Sequence, residues 1–62
     1  MSAYTEIKTT VANQLKAGNI PTRTANRYAT VIAKEATQGY QRTDEEIVWM
    51  LNVWDAYIYE VC

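Results

Sequence analysis

Only three residues in this 62-residue chain interrupt a helix through their own backbone chemistry: Gly18, Pro21 and Gly39. No other glycine or proline occurs. Glycine adds backbone freedom and proline lacks the N–H, so these positions punctuate the chain into three segments.

In the first, over residues 3–17, Tyr4, Ile7, Val11 and Leu15 fall at i, i+3, i+7 and i+11, one stripe of an amphipathic helix. Ser2 is placed to accept from the first free N–H groups. Gly18 and Asn19 both tolerate the left-handed conformation of a C-cap. The second segment, over residues 22–38, starts at Pro21, whose missing N–H costs nothing there. Its expected inner face is Ala25, Tyr28, Ala29, Ile32 and Ala36, mostly alanine, which allows close helix approach. The third segment, over residues 43–61, opens on Thr43-Asp44-Glu45-Glu46, a capping box with three acids at the positive end of the helix dipole. No stretch shows strand-like alternation. The predicted fold is all-α, a compact three-helix bundle forming a single domain over 1–62.

A domain this small buries only about 60% of its unfolded surface and usually needs a staple. One cysteine, Cys62, excludes an internal disulfide, and with no histidine a structural zinc is not expected. What remains is regular helix packing, self-association, or both.

The third segment points to self-association. Thirteen of the twenty residues from Thr43 to Cys62 are apolar or aromatic, including both tryptophans. With Ile47 at 0° on a helical wheel, Tyr57, Met50, Val61, Trp54, Ile58, Leu51 and Cys62 join it within a wide arc, the expected inner wall. Trp54 is expected to fill the space left by the alanines. Trp49, Val53, Ala56 and Glu60 form a second stripe beside Met50 and Tyr57, with Val48 and Tyr59 on the opposite flank. Two short helices can hardly cover all of this. Trp49, Val53, Ala56, Tyr57 and Glu60 are therefore the expected protein interface. The alternative is that Trp49 folds back inside the monomer. Five tyrosines, two tryptophans and no phenylalanine suit a surface that is wet when free and buried when bound.

Residues 1–42 carry all six basic side chains against Glu6 and Glu35, a net +4, while residues 43–62 carry five acids and no base. The basic residues Arg23, Arg27 and Lys34 share one face of the second helix, positioned for phosphates, for an acidic partner, or simply for solvent. A helix-turn-helix reading places Gly18 in the turn and Arg23, Thr24, Asn26 and Arg27 toward a groove. Asn13 and Asn19 then sit where apolar residues should pack, and about three phosphate contacts give a weak salt slope.

Without histidine the commonest general base is missing, no Gly-rich phosphate loop occurs, and the acids at 44–46 are explained by capping. No enzymatic activity, cofactor or metal is expected. The start lacks a basic region followed by an apolar run, and residues 47–62 are broken by Asn52, Asp55 and Glu60. A cytoplasmic protein without a signal peptide or membrane span is expected. The resulting functional expectation is a small non-enzymatic protein-binding module. It would be a homodimer through the third helix, acting stoichiometrically as an inhibitor or adaptor of a larger protein, of the kind phages and mobile elements encode. A nucleic-acid-binding regulator is the alternative.

Overall fold

The computed structural model describes residues 2–58 and shows an all-α three-helix bundle. Helix α1 spans Ala3–Ala17, α2 spans Thr22–Gln38 and α3 spans Asp44–Val53. A π-helical turn, Trp54–Ile58, continues α3. The first two helices have the expected bounds. The third is shorter in its α-helical part than the expected 43–61, and residues 59–61 lie outside those described.

The helix ends follow from local chemistry. The Ser2 hydroxyl accepts from the Thr5 N–H at 3.3 Å. At the end of α1, Ile20 N–H donates to the Leu15 carbonyl at 3.2 Å and Asn19 N–H to that of Lys16 at 3.0 Å. This is the pairing of a Schellman motif. The left-handed residue is Asn19, at φ 70°, whereas Gly18 keeps a negative φ of −87°. The chain reverses there and buries Ile20. Helix α2 ends at Gly39, which is left-handed at φ 65°. The capping box of α3 is complete: Thr43 Oγ1 accepts from Glu46 N–H at 3.2 Å, and Glu46 Oε1 accepts from Thr43 N–H at 2.9 Å.

Helix α2 is the central element. Ala25, Ala29 and Ala33 are fully buried along one ridge, and Ala12 of α1 is buried with them. Side chains this small let α1 and α2 run with their backbones close together. The expected α2 face is thus corrected at two places: Ala33 is buried where Ala36 was expected, and Ala36 is exposed. Tyr28 and Ile32 are half-buried. Val31 is also buried but points away from the alanine ridge, toward the side where Tyr28 meets Trp49 of α3. Helix α3 is spaced from the other two by its larger side chains.

The face that α3 turns inward differs from the expected one. Met50 and Val53 are buried, and Trp49 is half-buried against α2. Ile47, Leu51, Trp54 and Tyr57, expected inside, are exposed. Val61 and Cys62 lie outside the described residues. The alanine ridge is covered by α1 coming close, so Trp54 is not needed to fill it. Relative to the expected wall, α3 is rotated by about one residue step, roughly 100°.

Candidate protein-docking face

Three side-chain relationships fix the azimuth of α3, and each begins in its sequence neighbours. Gly39 N–H and Tyr40 N–H both donate to the Lys34 carbonyl, the latter at 3.4 Å. This brings Tyr40 against the end of α2, with Lys34 Nζ 5.4 Å from its ring centroid. The Tyr40 hydroxyl donates to Glu46 Oε1, the oxygen already held by Thr43 N–H. Glu46 is thereby turned toward the connection. Its carboxyl is held below the usual carboxylate range, chiefly by the Thr43 N–H and then by the Tyr40 hydroxyl. The hydrogen bond to Glu46 in turn raises the Tyr40 hydroxyl above its ordinary value. On the other side of the same connection, Arg42 forms a two-pronged pair with Glu35, Nε to Oε2 at 2.8 Å and a terminal nitrogen to Oε1 at 3.0 Å.

The third relationship joins the helices directly. The Arg27 guanidinium carbon lies 4.4 Å from the Trp49 ring centroid, and the Tyr28 ring is 6.2 Å from Trp49 at 47°. Trp49 thus folds back within the monomer, over the middle of α2. The basic stripe is correspondingly partitioned: Arg27 covers Trp49, Lys34 covers Tyr40, and Arg23 is exposed. Thr24 is half-buried, and Asn13, Asn19 and Asn26 are exposed.

With Glu46, Trp49, Met50 and Val53 turned in, the outward side of α3 carries an apolar ridge flanked by the exposed Asp44, Glu45, Asn52 and Asp55. Ile47, Leu51 and Trp54, at i, i+4 and i+7, are 42%, 58% and 45% exposed. Val48 at 59% and Tyr57 at 37% extend this ridge. An aromatic side chain offers about 150–250 Å², so Trp54 and Tyr57 alone leave roughly 150–200 Å² open, and the three aliphatic side chains add to it. The ridge as a whole falls within the range of about 300–600 Å² typical of the largest, often functional, patch on a monomer.

Two clefts flank the ridge. One, of about 240 Å³, is lined by Tyr28, Arg42, Ile47, Met50, Leu51 and Trp54. The other, of about 430 Å³ and more open, is lined by Asp44, Glu45, Val48, Trp49 and Asn52.

Of the residues expected at the interface, Val53 belongs to the core and Trp49 to the α2–α3 contact, so both are turned away from the outward ridge. Ala56 and Tyr57 are exposed, and Glu60 lies outside the described residues. The π-helical turn matters here. Its wider i→i+5 bonding ends the 100° step on which the positions of Ala56, Tyr57 and Ile58 were assigned. Ile47, Leu51 and Trp54 were missed as surface residues because a strongly apolar stripe reads as core. The available signal was Glu46: a capping-box acid facing the preceding connection fixes which way the next turns point.

Among the described residues, no group of His, Cys, Asp or Glu side chains is arranged to hold a metal ion. No helix among them is long and apolar enough to cross a membrane. The chain matches no protein-family model, no curated protein and no solved structure.

Proposed function

We propose that this chain is a small protein-binding module that docks through the outward face of α3 and acts by stoichiometric occupancy, as an inhibitor or adaptor of a larger protein. The observation carrying this reading is the exposed Ile47–Leu51–Trp54 ridge beside a cleft floored by Met50. A tryptophan beside such a cleft is the type of residue that dominates binding energy at protein interfaces. Leaving this much apolar surface in water costs a marginal domain stability it gains nothing by giving up, unless the surface is covered in use.

Two occupants compete for the face: a second copy, giving a homodimer, and a different protein. Nucleic-acid binding through α2 is the weaker alternative. Two of its three candidate basic residues, Arg27 and Lys34, already lie over aromatic rings.

The test is affinity capture from the source cells with the native chain and with Leu51→Lys and Trp54→Ala, each first shown to keep its helical circular-dichroism spectrum. The expected result is a protein held at one-to-one stoichiometry by the native chain and lost by both variants. Capture that depends instead on Arg23 and falls off steeply with salt would favour the nucleic-acid reading.

A further inference from the structure

Resting on the reading of α3 as a docking face, we infer that its occupant is a basic amphipathic segment of another protein, with apolar side chains flanked by Lys or Arg, and not a second copy of this chain. The argument is charge complementarity around an apolar ridge.

From Thr43 to Ile58 the chain has four acids and no base. Glu46 is consumed internally by Tyr40 and Thr43. Asp44, Glu45 and Asp55 are exposed, and among the described residues none of them is in an ion pair; the one ion pair there is Arg42–Glu35. Asp44 and Glu45 rim the larger cleft, whose floor is Val48 and Trp49. That combination fits a Lys or Arg side chain, with its aliphatic stem on the apolar floor and its charged head at the two carboxylates. Across the ridge, the smaller cleft is mostly apolar, and the single base on its wall, Arg42, is neutralised by Glu35. It fits one apolar anchor. A basic position at Asp44 and Glu45 and an apolar anchor in the smaller cleft, with the Ile47–Leu51–Trp54 ridge between them, describe an amphipathic helix laid along α3.

A second copy offers the wrong chemistry. Its α3 is equally acidic, so pairing α3 on α3 brings unpaired carboxylates together around a desolvated ridge, where like charges cost more than in water. Of the copy's six cations, Arg42 is paired with Glu35 and Arg27 and Lys34 lie over aromatic rings, while Lys8, Lys16 and Arg23 sit on α1 and the first turn of α2, away from the α3 ridge.

The test selects a displayed library of randomised amphipathic helices against the native chain, with Leu51→Lys as counter-selection, and measures solution mass by sedimentation in parallel. The expected outcome is a monomer that enriches helices with Lys or Arg beside the apolar positions. Binding of the best of these, as a synthetic peptide, should weaken about tenfold or more with Asp44→Asn/Glu45→Gln, and should weaken with added salt. Selected helices with neutral or acidic flanks, or an affinity unchanged by the double substitution, would overturn the inference while leaving the docking face standing. A native dimer converted to a folded monomer by Leu51→Lys would assign the face to a second copy instead. A monomer that enriches no helix dependent on Leu51 would remove both the inference and the docking reading beneath it.

Discussion

Arg27 lies over Trp49, guanidinium to ring centroid 4.4 Å, and this contact holds α3 on α2 with the tryptophan inside. A cation over an indole face contributes about 0.5–2 kcal/mol, more as water is excluded. Trp49→Ala removes the ring together with its Tyr28 contact and should cost about 3 kcal/mol. Arg27→Ala should cost about 1 kcal/mol. In urea melts of both single variants and the double variant, the coupling should be on the order of 1 kcal/mol, because Arg27 loses its effect once the ring is gone while Trp49 keeps its Tyr28 contact and burial without Arg27. A coupling near zero would mean the two residues act independently.

Val53 and Leu51 are two positions apart and behave oppositely. Val53 is 5% exposed and Leu51 58%. Val53→Asp places an unpaired charge in the core and should destabilise by on the order of 4 kcal/mol, most of what so small a domain has. Leu51→Lys should change stability by no more than about 0.5 kcal/mol. Thermal melts of the two variants check the azimuth of α3 directly, since the rotated alternative exchanges their effects.

The Glu46–Tyr40 hydrogen bond predicts losses at both ends of the pH range. The folded-state value of Glu46 lies below its unfolded value. Its contribution is therefore complete above the unfolded value of about 4.3 and is lost as pH falls through the lowered folded value. Tyr40 is raised, so its contribution is complete below about pH 10 and is lost as pH rises through the raised value. Denaturant midpoints followed against pH should fall less steeply in acid for Glu46→Gln than for the native chain, and less steeply in alkali for Tyr40→Phe.

Two loop positions test the turn chemistry. Gly39 is left-handed, and a Cβ added there meets nothing within 4 Å, so Gly39→Ala carries only the conformational cost, about 1–2 kcal/mol. Gly18 has negative φ, and an added Cβ would sit 3.4 Å from the Leu15 carbonyl oxygen, an ordinary contact. Gly18→Ala should stabilise by about 0.4–1 kcal/mol by restricting the unfolded chain. Opposite signs in calorimetry at the two glycines would follow from their backbone angles alone.

The sequence by itself determined where the three helices begin and where α1 and α2 end. Ser2, the Gly18–Asn19 pair, Pro21, Gly39 and the Thr43–Glu46 box act on backbone groups within a few residues, so their effects are readable without knowing the rest of the fold. The sequence also determined that α3 has more apolar surface than its neighbours can cover. Which face α3 buries was decided by the tertiary structure. With thirteen apolar residues in twenty, hydrophobic periodicity barely separates one face from the next. The tie is broken by contacts between segments: Tyr40 with Glu46, Arg42 with Glu35, and Arg27 with Trp49. The first two pairs span six and seven residues across the connection, and Arg27–Trp49 joins residues far apart in sequence; all three depend on polar groups that hydrophobic periodicity does not register. They turn Trp49 inward and leave Ile47, Leu51 and Trp54 facing out.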